Sequence, residues 1–328
     1  MVYVYMDSGT SNTRAYLLRD GALLAEAKAP VGTKDSAIAG DNAVLVSRMK
    51  KLYDGLLEAQ GLTDGDVGEI WMSGMVTNGF GVHEAPHMSL PVDARALAEQ
   101  ACVYKEEKFF GRELHLVRGA KTTAPDAAID FSNLPGVGNV RGEEIEIIGL
   151  MGSGGAPQTG AFAVVAPGSH THVCYVRNGK FCDILSCFTG ELNFAIGKDT
   201  ILSGELFHGD VAMEEENVLR GYGYLKEYGM VRALYILHAS KVFEVCPDAV
   251  RSQMLAGVIS GGVAELVGKK QKGEWSDLER VYILGDKPYI ASYKILMERE
   301  LGVPAELKKN AGGRSFALAG FLELIRKR

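Results

Sequence analysis

The feature that most constrains this chain is a repeat. Val2–Met6 is an apolar, β-branched and aromatic run that ends at Asp7-Ser8-Gly9, and it reads as a buried strand entering a turn. Arg14–Leu18 reads as a second strand, Arg19-Asp20-Gly21 as a tight hairpin turn and Ala22–Ala27 as a third strand. About 160 residues later the plan returns. Ala161–Ala166 is an apolar strand, Pro167-Gly168-Ser169-His170 a turn, Thr171–Val176 a strand, Asn178-Gly179 a hairpin turn and Lys180–Leu185 a third strand. SGTSNTRAYLLRDG aligns with PGSHTHVCYVRNG across one gap. Two copies of one three-stranded unit at half-chain spacing predict two similar α/β lobes, each on a mixed sheet. The length of 328 residues fits two domains of ~150 residues.

The rest of the pattern fills in those lobes. Ala43–Gln60 carries apolar residues near 3.6-residue spacing and predicts an amphipathic helix. Glu69–Met72 predicts a short strand that opens into Ser73-Gly74-Met75-Val76-Thr77-Asn78-Gly79, and helices are expected over Ala94–Cys102 and Glu143–Met151. Gly152-Ser153-Gly154-Gly155-Ala156-Pro157 is the clearest linker, so the lobes are expected over 1–157 and 158–328. In the second lobe, helices are expected over Val231–Phe243, Val250–Val267 and Pro288–Leu301, and strands over Val281–Leu284 and Pro304–Leu307. A terminal amphipathic helix is expected over Ser315–Ile325, with packing back on the first lobe as one option.

Composition excludes several function classes. A net charge of −6 makes the chain a poor candidate for non-specific binding of nucleic acid or anionic lipid, which would need a basic face. Five cysteines, an odd number with no C-x-x-C pair, argue against a structural zinc site or a disulfide framework and fit reduced thiols in a cytoplasm. No stretch approaches the ~20 apolar residues of a membrane span, and the start has no signal-peptide pattern. Glycine is in excess, 40 residues against 10 prolines, so the glycines are expected at turns, close packing points and phosphate loops rather than in low-complexity sequence.

Asp7-Ser8-Gly9-Thr10-Ser11-Asn12-Thr13-Arg14 is the strongest chemical motif. It offers a carboxylate at a strand end for a magnesium ion, a turn at Gly9, Thr10, Ser11 and Asn12 whose N–H groups suit phosphates, and Arg14 to offset developing negative charge. A P-loop is excluded, because no G-x-x-x-x-G-K-[ST] exists. Arg141-Gly142-Glu143-Glu144 places paired carboxylates at a helix start, as a base or a metal ligand. Pro167-Gly168-Ser169-His170 sits where the repeat puts a second phosphate turn, and Thr189-Gly190-Glu191 follows the third strand, where it could hydrogen-bond a polyol. Plainer readings stay open at this point: a polar β-turn for the first motif, and dipole or capping preference for the paired acids and Thr189. His170 and His172 share a strand face, and a third metal ligand with recognisable spacing is missing.

With these residues assembled, the chain resembles the 2-dehydro-3-deoxygalactonokinase family, sugar-acid kinases of the actin/hexokinase/Hsp70 superfamily. The resemblance runs nearly full length, through DSGTSNTR (7–14), SGMVTNG (73–79), EAPHMSLPV (84–92), RGEE (141–144), APGSHTHV (166–173), FTGEL (188–192) and LAGVISGGVAE (255–265). It implies two RNase-H-like lobes with ATP in the cleft between them. It also implies that ATP phosphorylates the 6-hydroxyl of 2-dehydro-3-deoxy-D-galactonate, in galactonate or galactose catabolism. The turn after β-strand one would be the first phosphate loop and Gly168-Ser169 the second, with Mg²⁺ held near Asp7. Exopolyphosphatases of the same superfamily carry a similar glycine-acid-acid helix start, and carry-over by position makes Glu144 the base, with Glu143 the alternative. The superfamily aspartate of the second loop is missing around Pro167. Gly285 and Gly312 are the expected adenosine-side glycines. Ser73, Asn78, His170, Thr189 and Glu191 are the expected sugar contacts, with Arg141 pairing with the sugar-acid carboxylate. A kinase for another 2-keto-3-deoxy aldonate or polyol, or a phosphohydrolase on the same fold, is the alternative. A scaffold or sensor without catalysis fits poorly with Asp7, Glu143 and Glu144 in place. The resemblance leaves the oligomeric state open, a homodimer included.

Overall fold

The computed structural model describes residues 1–207, 209–310 and 315–328. The chain divides into two compact units: Met1–Gln158 with Gly179–Cys182 and Ala311–Arg328, and Thr159–Asn178 with Asp183–Asn310. Gly179–Cys182 and the C-terminal segment, which follow the boundary expected at 157/158, group with the first unit.

In chain order the elements are β1 (Val2–Ser8), β2 (Thr13–Arg19), β3 (Ala22–Ala29), α1 (Thr33–Ala39), α2 (Ala43–Ala59), β4 (Glu69–Gly74), β5 (Met88–Ser89), α3 (Ala94–Glu99), β6 (Cys102–Glu106), β7 (Arg112–Leu116), β8 (Ala120–Lys121), β9 (Asn139–Val140) and α4 (Glu143–Gly152). Then follow β10 (Ala161–Pro167), β11 (Thr171–Arg177), β12 (Lys180–Cys187), α5 (Gly190–Asp199), α6 (Glu215–Val242), α7 (Asp248–Gln271), β13 (Arg280–Leu284), α8 (Ala291–Arg299), β14 (Ala305–Lys308) and α9 (Phe316–Lys327).

The first unit carries a six-stranded sheet in the order β3-β2-β1-β4-β7-β6, and the second a five-stranded sheet in the order β12-β11-β10-β13-β14. In each, the leading strand pairs antiparallel with the next strand and parallel with a later one: β1 with β2 and β4, β10 with β11 and β13. This is the plan of actin-like, RNase-H-like lobes. The leading strands are covered on both faces, because successive residues point to opposite sides and all are buried: Val4, Tyr5 and Met6 in β1, and Ala163, Val164 and Val165 in β10. That is why both strands read as continuous apolar runs.

Helices cover the faces. In the first unit α4 and α9 cross at two glycines. A Cβ on Gly149 would lie 1.9 Å from the Phe316 carbonyl oxygen, and one on Gly320 would lie 1.9 Å from that of Ile145. Phe321 of α9 stacks on Tyr5 of β1 at 4.5 Å between ring centroids, which carries the C-terminal helix onto the sheet. In the second unit α6 and α7 cross in the same way at Gly221 and Gly257, where added Cβ atoms would meet backbone oxygens at 2.0 and 2.1 Å.

Several expectations are corrected. The helix expected over Ala94–Cys102 ends at Glu99, and Cys102 opens β6, whose residues alternate in burial as it pairs antiparallel with β7. The helix expected over 231–243 is the second half of α6, which starts at Glu215 and breaks at Gly229 (φ 75°). The helix expected from Pro288 begins as a 3₁₀ turn, Pro288–Ile290, before α8. The first unit also holds a small sheet, β5-β8-β9, whose two-residue strands are too short to give a periodic signal. Among the described residues no helix is long and apolar enough to cross a membrane.

Candidate functional site

Three motifs of the first unit converge at the carboxyl ends of β1 and β4, the edge of a parallel pair where α/β sheets place their ligands. Asp7 is the penultimate residue of β1, with Arg14 opposite it on β2 and Ser73 opposite it on β4. The chain then turns tightly, the Gly9 amide donating to the Asn12 carbonyl at 2.9 Å. The Gly9 and Thr10 carbonyls accept from Thr33 and Lys34, and a Cβ on Gly32 would lie 2.4 Å from the Thr10 carbonyl. The turn is therefore held from behind. Among the described residues, the amides of Thr10, Ser11 and Asn12 donate to no backbone carbonyl, which leaves a row of donors for an anion. Ser8 and Thr13 brace its two ends, their hydroxyls 2.8 Å apart.

Gly74 and Gly142 bring the other two motifs in. Gly74 takes φ +85°, and an added Cβ would lie 2.6 Å from the Ser8 carbonyl oxygen and 3.4 Å from the Asp7 carboxylate. Gly142 takes φ +121°, and its Cβ would lie 3.2 Å from the Gly74 Cα. The two backbones touch where a side chain on either would force them apart. Asp7, SGMVTNG and RGEE thus form one cluster.

The acids of α4 differ in environment. Glu144 is fully buried, and both its carboxylate oxygens accept from the Gly142 amide, at 2.9 and 2.8 Å. Burial first, then repulsion from Glu143, pushes its pKa up to about 8. Glu143 is half-buried and accepts from the Arg141 amide at 3.1 Å. Glu146, which sequence reasoning missed, also joins the cluster. Burial first, then repulsion from Asp7 and Glu143, pushes it up to about 8. The available signal was its spacing, since residues three apart share a helix face. Asp7 is pushed up to about 6, by burial first, with Arg14 opposing and Glu143 adding to the rise. Exposed Arg14 is the cation that offsets both Asp7 and Glu146. Buried, mutually repelling carboxylates fit a bound cation. Among the described residues no group of three or more His, Cys, Asp or Glu side chains is arranged to hold a metal ion by itself. One carboxylate with water and substrate phosphates is the usual coordination of Mg²⁺.

The expected sugar contacts of this unit are differently placed. Ser73 is fully buried and shares a 2.6 Å hydrogen bond with the Tyr5 hydroxyl. Asn78 is half-buried, and its Oδ1 accepts from the Phe80 amide at 2.8 Å, which shapes the loop. Arg141 does not present a free guanidinium. It donates to the Thr77 carbonyl, to the Thr77 hydroxyl at 2.7 Å, to the Ala85 carbonyl at 3.0 Å and to His87 Nδ1 at 3.2 Å. These bonds make Arg141 a brace under the SGMVTNG loop.

The second unit repeats the construction. The Gly168 amide donates to the His170 carbonyl at 2.8 Å, closing a turn whose Gly168 and Ser169 are exposed. A Cβ on Gly190 would lie 2.0 Å from the Gly168 carbonyl oxygen, and the Glu191 amide donates to the Ser169 carbonyl at 2.9 Å. FTGEL therefore packs against this turn as Gly32 packs against the first. The Thr189 hydroxyl is buried against Thr171 Oγ1 at 2.7 Å, and Thr171 also meets the Tyr293 hydroxyl at 2.8 Å. Glu191 is exposed, and His170 lies beside the Phe188 and His172 rings. Gly285 follows β13 at φ +124°, its amide donating to the Lys308 carbonyl. Gly312 lies outside the described residues.

A family model described as 2-keto-3-deoxy-galactonokinase matches residues 7–323. The Rhizobium meliloti (strain 1021) protein named Probable 2-dehydro-3-deoxygalactonokinase DgoK1 is 28% identical over 217 residues, 63% of this chain. The aligned part spans 60% of that relative's length. A crystal structure of a Sinorhizobium meliloti protein provisionally assigned the same activity superposes with a TM-score of 0.73 at 20% identity, over 99% of this chain and 97% of its own. That likeness speaks to the fold.

Proposed function

The chain belongs to the 2-keto-3-deoxy-galactonokinase family, and we propose that it is an ATP-dependent kinase that phosphorylates the 6-hydroxyl of 2-dehydro-3-deoxy-D-galactonate. The observation that carries this reading is the convergence of Asp7, the Gly9–Asn12 turn, Gly74 and the acids of α4 at one sheet edge.

Phosphoryl transfer needs charge neutralisation and positioning more than covalent chemistry. In this reading the amides of Thr10, Ser11 and Asn12 receive phosphate oxygens and Arg14 offsets their charge. Asp7 is the anchor for Mg²⁺, which when bound with ATP screens the phosphates. The turn at Gly168-Ser169, with Gly285, is the second unit's nucleotide contribution. Glu143 is the proposed base for the 6-hydroxyl. Glu144, the position that carry-over favours, has both oxygens on a backbone amide and no exposed surface, which supports a structural role for it. Asn78, His170, Thr189 and Glu191 remain proposed contacts of the sugar-acid loops, and Arg141 and Ser73 hold those loops in place. The five free cysteines suit a reducing cytoplasm.

The test is an ADP-release assay with ATP, Mg²⁺ and a panel of 2-keto-3-deoxy aldonates. The expected result is release that depends on the sugar acid. ADP release without sugar and unaffected by every member of the panel would contradict it and favour a phosphohydrolase.

A further inference from the structure

The first unit carries a pocket of about 460 Å³, within the size range of small-ligand sites, one of whose lining residues, His87, is hydrogen-bonded by Arg141. Its basic edge consists of His87, Arg118 and Lys121. Met88, Pro91 and Val92 are among its apolar lining residues. One acid, Asp126, is among the lining residues.

The basic edge is built. Arg118 Nε donates to the Pro86 carbonyl at 2.6 Å, and a second guanidinium nitrogen lies 3.4 Å from the His87 carbonyl, so its cation is fixed by neutral acceptors. His87 is held by Arg141 at 3.2 Å. Gly119 makes room for it, since a Cβ there would lie 2.8 Å from the His87 ring. Burial first, then the charges of Arg141, Lys121 and Arg118, pulls the His87 pKa down to about 4. His87 is therefore neutral at physiological pH and can meet an uncharged oxygen, while Arg118 and Lys121 supply positive charge. Two cations against the one acid, Asp126, leave an excess of positive charge that suits an anion.

We propose that this pocket receives the carboxylate end of the sugar acid, with Arg118 and Lys121 binding the carboxylate, His87 facing the 2-keto oxygen and the apolar wall covering the C3 methylene. This rests on the sugar-acid kinase reading and adds the subsite that reads the acid function. A 2-keto-3-deoxy acid presents charge, carbonyl and bare methylene in that order, and the pocket presents cations, a neutral imidazole and Met88, Pro91 and Val92. A phosphate would find a better match at the amide-rich Gly9–Asn12 turn. The link to the acidic cluster is covalent: Arg141, which holds His87, is followed directly by Gly142 and Glu143.

The test is calorimetric titration with 2-dehydro-3-deoxygalactonate and with its C1 alcohol, in the presence of a non-transferable ATP analogue. Wild type should bind the acid at least ~10-fold more tightly than the alcohol, the scale of a hydrogen-bonded charge pair. Lys121→Met, which leaves the Arg118 bonds to the backbone intact, and Arg118→Met should each bind the acid at least ~10-fold more weakly than wild type while binding the analogue normally. Equal binding of acid and alcohol by wild type, no binding of the acid, or wild-type affinity in both variants would overturn the proposal. Binding is read without turnover. A wild type that discriminates the acid through these residues yet transfers no phosphate would refute the kinase reading and leave the subsite standing.

Discussion

Glu143 and Glu144 are adjacent residues in different surroundings, and substitution should separate them. Glu143→Gln should lower kcat by about 10²–10⁴-fold, the range for loss of a general base. Glu144→Gln should keep most of the activity, because its carboxylate is spent on the Gly142 amide. Steady-state ADP release reads both, and the reverse ranking would return the base to Glu144. Glu144 also predicts a pH dependence of stability. Its folded pKa is raised, to about 8, so its contribution is fully present below the unfolded value near 4.5 and is lost as pH rises through about 8. Apo-protein stability should therefore fall between pH 5 and pH 8.5, by ~2–4 kcal/mol from this group, since each tenfold change in proton affinity is worth ~1.4 kcal/mol. Glu144→Gln should remove much of that fall in thermal unfolding across the same range, and an unchanged slope would contradict the assignment. At this scale the sequence was legible where a residue's chemistry is local. Asp7 and Arg14 stand out at the strand end, and they face each other across β1 and β2. Glu146 shares a helix face with Glu143, but its place beside Asp7 depends on another element of the fold. The bracing role of Arg141 and the basic pocket were not legible, because each depends on residues far apart in the chain: Arg141 and His87 are 54 positions apart, and His87 and Arg118 are 31 apart.

The helix crossings give the glycine excess its meaning at the scale of elements. Gly149 and Gly320 let α4 and α9 approach until backbone meets backbone, and Gly221 and Gly257 do the same for α6 and α7. Gly320→Ala should destabilise the protein by roughly 2–3 kcal/mol, since neither backbone can yield easily in a close-packed interface. Gly55→Ala in α2, where an added Cβ meets nothing within 4 Å, should stabilise by ~0.5–1 kcal/mol. Urea unfolding midpoints compare the two, and equal effects would contradict the crossing argument. The hairpin turns were readable from their residues: Asp20-Gly21 and Asn178-Gly179 all take positive φ, as their turn chemistry requires. The elements that escaped the sequence reading were those whose pattern is too short or too mixed. β5, β8 and β9 have two residues each, and β6 follows α3 so closely that its alternation reads as a helix end.

For the molecule as a whole, the repeat that opens each half has the same consequence in each unit: a leading strand buried on both faces, a tight turn at its carboxyl end, and a glycine of a later segment packed against that turn. The first unit is completed only by α9, whose Phe321 stacks on Tyr5 of β1. A chain stopped after Asn310 should therefore lose the protease resistance of the first unit, whereas Arg328→Ala, which removes an exposed pair with Glu69, should change stability by less than ~1 kcal/mol. Limited proteolysis followed by mass spectrometry distinguishes these outcomes. The central claim is transfer of a phosphoryl group to the terminal hydroxyl of a sugar acid by the cluster around Asp7. ³¹P NMR of the protein with ATP, Mg²⁺ and 2-dehydro-3-deoxygalactonate tests it most directly. The account predicts a new phosphomonoester resonance split by the two protons of a methylene carbon, absent with Asp7→Asn. ADP and inorganic phosphate as the only new products would contradict it.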